Sequence, residues 1–205
     1  MIETMKIVVV CTGNICRSPA MELLLSQALD DSVEVSSGGT YGMPSWPVSP
    51  PMAELLLADR AGSAMQGDTG ETTGAASFAK KVENFRSKPL TEKMVNEADL
   101  ILTATGAHRA EVLNLSPLAL KRTMSLGELA RLAQSVNPAT WANASDDAER
   151  LKALIPAAIA ARHANPAGPE ADDIIDPYKR SAQTYQLSHN QIVERVNALA
   201  NALHQ

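Results

Sequence analysis

The sequence predicts an α/β fold, a four-stranded parallel sheet flanked by helices on both faces. Three observations carry that expectation. Short apolar runs alternate along the chain with segments of helical periodicity. The first run, Lys6 to Cys11 (KIVVVC), is continuous and rich in β-branched residues, as in a strand buried on both faces. The C-terminal stretch from Gln183 repeats apolar residues at helical spacing, which gives the sheet a cover.

Taken in order, the first strand hands over to a helix in which Ser18 suits the N-cap and Pro19 the first helical position. Met21, Leu24, Leu25 and Ala28 then recur on one face. Ser32 to Ser37 (SVEVSS) reads as the second strand, ahead of Gly38-Gly39-Thr40. Tyr41 to Met52 contains four prolines and reads as a stiff loop. Ala61 to Ser77 is rich in Gly, Thr and Ser and reads as a mobile addition. Ala98 to Thr105 is the third strand, and Lys121 to Leu126 a weaker fourth that leads into a helix-like Gly127 to Ser135. Residues 135–172 hold a helical patch interrupted by Pro156, then a Pro/Gly/acidic linker. The last helix carries Tyr185, Ile192, Val196, Leu199 and Leu203 on one face.

A chain of 205 residues suits a single domain, 1–205, with insertions near 61–80 and 135–172. With 45% hydrophobic but only 3% aromatic residues, its core must be built from Ala, Leu and Val. A net charge of −5 without a basic block argues against nucleic-acid partners and anionic membrane surfaces. The N-terminal apolar run is too short for a signal peptide, and none approaches a membrane span. Two cysteines five positions apart make no secreted disulfide framework, so a reducing, cytoplasmic setting is expected.

Chemistry concentrates between the first strand and the first helix, in Cys11-Thr12-Gly13-Asn14-Ile15-Cys16-Arg17-Ser18. A loop entering a helix N-terminus gathers backbone N–H groups and the positive end of the helix dipole around one anion. The Gly-Lys-Ser/Thr ending of a nucleotide P-loop is missing. Instead a cysteine precedes an arginine by six positions, which suits phosphate-ester chemistry. Arg17 offers two phosphate oxygens a planar fork, and the same positive field favours the thiolate of Cys11, the form that attacks phosphorus. Gly13 and Asn14 tolerate the positive φ that curls amides inward. Ser18 can donate a hydrogen bond to the thiolate. A lone cysteine at a strand end is ordinarily a small hydrophobe; here the whole combination carries the signal.

Expulsion of an alkoxide or phenolate needs a proton donor on a separate loop. Glu170, Asp172, Asp173 and Asp176 are the late carboxylates, and Asp176, stiffened by Pro177 and followed by Tyr178, ranks first. Asp172 and Asp173 read as a solvated linker. The four histidines show no ligand spacing and read as surface residues, so neither metal nor cofactor is expected.

VCTGNICRSPAMELL resembles the signature of the low-molecular-weight protein tyrosine phosphatases, and VEVSSGGT, which contains Ser37, resembles that family's second strand. DDIIDPYKRSAQTY is similar to its late Asp-Pro-Tyr loop, and FRSKPLTEKMVNEADLILTATGAHRAEVLNL to its third-strand region. The resemblance implies a flavodoxin-like sheet, Cys11 as nucleophile through a cysteinyl-phosphate, Arg17 as phosphate clamp and Asp176 as general acid and base. It also implies a phosphate site built from residues 12–16 and Ser18, a supporting Ser37, and a reversible Cys11–Cys16 disulfide under oxidant. Ile15, with Tyr178 and Tyr41 or Trp46 as apolar walls, fits an aryl phosphate; relatives that cleave phosphoarginine carry threonine at that place. A tyrosine-phosphorylated protein is the implied partner, such as a bacterial tyrosine kinase of polysaccharide export. One departure stands out: Ala104-Thr105 replaces the family's Met-Asp after the third strand. The alternatives are a phosphoarginine phosphatase, a thiol-coupled arsenate reductase, or an inactive phosphotyrosine-binding module.

Overall fold

The computed structural model describes residues 4–64, 71–168 and 170–205. Strand β1 (Met5–Cys11) leads through a tight loop into helix α1 (Arg17–Ala28), then strand β2 (Val33–Gly39). Helices α2 (Pro50–Ala64), α3 (Glu71–Asn84) and α4 (Glu92–Glu97) precede strand β3 (Leu100–Thr103). Helix α5 (Gly106–Leu115) is followed by strand β4 (Thr123–Ser125), α6 (Leu126–Ala133), α7 (Asp147–Ala161) and α8 (Ala182–Leu203).

The sheet order is β2-β1-β3-β4 and every pairing is parallel. Val9 sits opposite Ser37 on one side and Leu102 on the other. Because the chain leaves β1 in opposite directions for β2 and β3, the loops beyond their carboxyl ends diverge and leave a crevice. Cys11 ends β1 at that crevice.

Alternation along β1 divides the core. Ile7, Val9 and Cys11 join the larger apolar cluster with α1, α6 and α8, while Val8 and Val10 meet Val95 of α4 and Val112 of α5. Helices thus cover both faces, as the sequence predicts. Tyr185, Ile192, Val196, Leu199 and Leu203 of α8 are all buried. Among the described residues no helix is long and apolar enough to cross a membrane.

Several expectations need correction. Helix α1 starts at Arg17 with Cys16 at its N-cap, so Ser18 and Pro19 already lie inside the first turn. Pro50 and Pro51 end the proline-rich loop by opening α2, where a missing N–H costs nothing. Of the stretch read as a mobile addition, Ala61–Ala64 extend α2 and Glu71–Ser77 begin α3; residues 65–70 lie outside the described residues. Polar composition misled there, because among its described side chains α3 turns only Phe78 and Val82 into the core. Pro156 does not interrupt α7, which runs through it with Leu151, Leu154 and Ala158 buried. Tertiary burial of that face outweighs the ~3 kcal/mol a mid-helix proline ordinarily costs.

Candidate active site

The loop after β1 is held from outside by the chain that follows β2. Carbonyls of Cys11, Thr12, Gly13 and Ile15 accept from the amides of Thr40 (3.0 Å), Tyr41 (2.9 Å), Met43 (3.4 Å) and Ser49 (2.7 Å). The proline-rich segment is therefore a strap. With those carbonyls engaged outward, the amides of Gly13, Asn14, Ile15 and Cys16 have no acceptor among the described residues. Unpaired donors at a helix N-terminus form an anion-binding nest. The strap comes this close because Gly39 lacks a side chain: a Cβ there would stand 2.6 Å from the Thr12 carbonyl.

Asn14 takes φ 55°, as expected of a curled turn, whereas the φ of Gly13 lies outside the left-handed region. The Asn14 side chain ties the loop together. Its Nδ2 donates to Ser18 Oγ (2.9 Å) and Ser37 Oγ (2.8 Å), and its Oδ1 accepts from the Lys88 amide (2.9 Å). Ser37 in turn donates to the Glu22 carboxylate. Burial pushes the Glu22 carboxyl up, against the Ser37 hydrogen bond and the charge of Lys88. Ser18 Oγ accepts from Asn14 and lies 3.0 Å from the Cys11 sulfur, within reach to donate its proton to a thiolate there.

Arg17 is 4% exposed and fixed on three sides. Its Nη1 donates to the Ile174 carbonyl (3.2 Å), while Nη2 donates to Thr12 Oγ1 (3.4 Å) and pairs with Asp176 Oδ2 at 2.8 Å. The other Asp176 oxygen accepts from the Tyr178 amide (3.1 Å). Cys11, Arg17 and Asp176, read from opposite ends of the sequence, meet in one cleft walled by Ile15, Tyr41, Met43 and Tyr178. Trp46 is not part of that wall; it stands half-exposed in the strap, its amide on Ser87 Oγ (2.9 Å).

Cys16 also lines the cleft but is anchored differently. Its thiol donates to Ser49 Oγ at 3.1 Å and lies 3.7 Å from the Tyr185 hydroxyl. Burial pushes this thiol up. Both cysteines are free thiols.

Asp172 and Asp173 are no solvated linker. Asp172 takes a bidentate pair from Arg131 of α6 (2.9 and 2.7 Å), and Asp173 accepts from the Gly106 amide (2.8 Å). Asp172 passes so close to α6 that a Cβ on Gly127 would sit 2.2 Å from its carbonyl oxygen. These contacts, made to residues 41 and 67 positions away, suspend Asp176 over the loop.

Two histidines read as surface residues are buried. His189 of α8 lies 3.3 Å from Asp59, and His108 of α5 is wedged between Thr12 and Thr105. Its ring lies 2.9 Å from Thr12 Oγ1 through Nε2 and 2.7 Å from Thr105 Oγ1 through Nδ1. Burial first, then the charge of Arg17, lowers its pKa to about 4. No spacing signal marks a lone histidine three residues after a helix cap; only the Thr105 departure hints at it. Among the described residues no group of three His, Cys, Asp or Glu side chains is placed to hold a metal ion.

Residues 6–80 match the family described as low molecular weight phosphotyrosine protein phosphatase. The probable low molecular weight protein-tyrosine-phosphatase EpsP of Ralstonia solanacearum is 34% identical over 129 residues, 63% of this chain and 74% of that protein. The low molecular weight protein-tyrosine-phosphatase Etp of Escherichia coli K12 is 30% identical over 149 residues, 73% of this chain and 86% of its own. Among solved structures, the YwlE arginine phosphatase from Geobacillus stearothermophilus superposes with a TM-score of 0.61 at 20% identity, covering 98% of this chain and 93% of that one, a likeness of fold. With its Cys11–Ser18 loop at the end of a parallel sheet's first strand and these relatives, the chain belongs to the low-molecular-weight protein-tyrosine-phosphatase family of hydrolases.

Proposed function

We propose that this protein dephosphorylates phosphotyrosine in a protein substrate, with Cys11 as nucleophile, Arg17 as phosphate clamp and Asp176 as general acid and base. One observation carries the reading: the Cys11 sulfur lies 3.0 Å from a Ser18 hydroxyl on a loop whose amides lack acceptors, with Arg17 and Asp176 paired in the same cleft.

The pairing suggests the order of events. An entering phosphate dianion displaces the Asp176 carboxylate from Arg17 and takes the guanidinium as a bidentate partner. Asp176 thereby loses a cation and gains an anion beside it, and both changes favour the carboxylic acid that can donate. The Cys11 thiolate then attacks phosphorus in line, the P–O bond to the tyrosyl oxygen breaks, and Asp176 gives that oxygen its proton. In the second step Asp176 takes a proton from water as the water oxygen attacks the cysteinyl-phosphate, returning inorganic phosphate and the thiolate. Arg17 and the amides of residues 13–16 bind the equatorial oxygens throughout. Ser18 stabilises the thiolate both as resting nucleophile and as leaving group.

Ile15, Met43, Tyr41 and Tyr178 make apolar walls suited to an aryl ring. Such walls favour phosphotyrosine over phosphoarginine, whose guanidinium would lose its hydration there. We take the chain as one phosphatase domain, 1–205, acting in the cytoplasm on a tyrosine-phosphorylated protein such as a bacterial tyrosine kinase.

The test uses wild type, Cys11→Ser and Asp176→Ala with a phosphotyrosine peptide, p-nitrophenyl phosphate and a phosphoarginine peptide. Phosphotyrosine turnover should vanish with the first change and fall roughly 10²–10⁴-fold with the second. Equal turnover by the three proteins would defeat the mechanism. Faster cleavage of the phosphoarginine peptide would reassign the substrate. Binding of phosphotyrosine without turnover by wild type would mark an inactive module, and arsenate reduction coupled to an added thiol a reductase.

A further inference from the structure

We propose that His108 is a positioning residue for this reaction, acting through Thr12 to aim Arg17 at the phosphoryl oxygens. This rests on the reading of Arg17 as the phosphate clamp. The three side chains form a continuous line. Arg17 Nη2 lies 3.4 Å from Thr12 Oγ1, Thr12 Oγ1 lies 2.9 Å from His108 Nε2, and His108 Nδ1 lies 2.7 Å from Thr105 Oγ1.

The chemistry of the end groups sets the direction of the protons. A guanidinium has donors only, so the Thr12 oxygen accepts from Arg17. Its single proton is then best given to His108 Nε2, because a lone pair rather than an N–H should face the Arg17 cation. That leaves the ring proton on Nδ1, donated to Thr105 Oγ1. The far end is rigid. Thr105 caps α5, its hydroxyl oxygen also accepts the His108 amide at 3.3 Å, and its carbonyl accepts from Thr103 Oγ1 at 2.9 Å. Every hydrogen bond in the line points away from the charge, an arrangement in which each polarises the next.

The line works only with a neutral ring, since a protonated imidazole cannot accept from Thr12. Burial and the Arg17 charge hold His108 neutral above about pH 4, against the opposing pull of Glu111, Asp176 and Asp173. Thr12 is exposed in the cleft, whereas His108 is 5% exposed, so the buried ring is the fixed partner. Nη2 is also the atom that pairs with Asp176. When phosphate displaces Asp176, Thr12 is what keeps Nη2 from following the carboxylate outward.

The experiment compares wild type with Thr12→Val, His108→Asn, His108→Gln and the Thr12→Val/His108→Asn double variant. It reads the affinity for inorganic phosphate by calorimetry, kcat and KM for p-nitrophenyl phosphate, and the melting temperature. Valine keeps the shape of threonine without the hydroxyl; glutamine carries an acceptor to about the Nε2 position, and asparagine stops short of it. Thr12→Val and His108→Asn should each weaken phosphate binding and kcat/KM about tenfold, with the double variant no worse than either single one. His108→Gln should recover most of that loss. Additive losses, equal defects in the Gln and Asn variants, or unchanged phosphate affinity in Thr12→Val would each overturn the proposal. If His108→Asn fails to fold, the Thr12→Val affinity still decides. A wild-type protein that follows this binding pattern yet cleaves no phosphotyrosine would defeat the phosphatase reading and leave the positioning role standing.

Discussion

The floor and the roof of the cleft are built on opposite principles. The floor, residues 11–18, is short in sequence and tied on every side: outward by the strap, beneath by Asn14, and at its far end by Ser37 and Glu22. Its two cysteines, arginine and serine are all buried. The roof, residues 172–178, leaves Asp176 half-exposed and hangs by Asp172 on Arg131 and Asp173 on the Gly106 amide. The contrast matches the labour proposed for each. A group that stabilises charge acts best when fixed beforehand, whereas a group that gives and takes protons must change partner during the cycle.

Perturbing each region separately sharpens this contrast. The largest effect in this set should come from Ser18→Ala, which removes the donor to the sulfur. A hydrogen bond to a charged group contributes about 1.5–3 kcal/mol, so kcat should fall about 10–100-fold, with slower alkylation of Cys11 by iodoacetamide at neutral pH. Full activity in this variant would mean that the loop amides and Arg17 suffice. Arg131→Ala frees the roof and should lower kcat by about fivefold, in keeping with a partly exposed ion pair of ~1 kcal/mol. Phosphate affinity should not fall, because phosphate displaces the roof's Asp176 from Arg17, and Cys11 alkylation should stay as in wild type; slower alkylation would show that the roof also positions the sulfur.

The smallest effect concerns stability. Burial raises the Glu22 carboxyl above its unfolded value, so its charged form opposes folding once the pH has risen through the folded value, and not below the ordinary 4.5. Glu22→Gln should therefore melt slightly higher at pH 7, by ~1 kcal/mol or less, and the advantage should disappear as pH falls towards 4. An advantage that persisted at pH 4 would place the origin elsewhere than in the carboxylate charge.

The same contrast explains what the sequence could reveal. Cys11, Arg17 and Ser18 are legible because the floor is made by one contiguous stretch whose spacing is its geometry. Strands β1 to β3 and the apolar face of α8 are legible for the same local reason. The supports of the roof are not, since Asp172 and Asp173 look like a polar linker until the fold brings Arg131 and Gly106 against them. His108 was hidden likewise, because its partner Thr12 lies 96 positions earlier. The strap acts through backbone hydrogen bonds, which no side-chain pattern encodes; its prolines signalled stiffness but not what the stiffness holds.

Gly127 gives the cleft a gauge. Where α6 begins, the chain leading to Asp176 rests against a hydrogen atom, with the Asp172 carbonyl and Arg195 Nε already inside the space a methyl would claim. The gap over the sulfur is thus set by the thickness of a residue outside the lining of the cleft, 49 positions before Asp176. Swapping it for alanine would act like a shim under a hinge, lifting Asp176 while every side chain of the cleft kept its chemical identity.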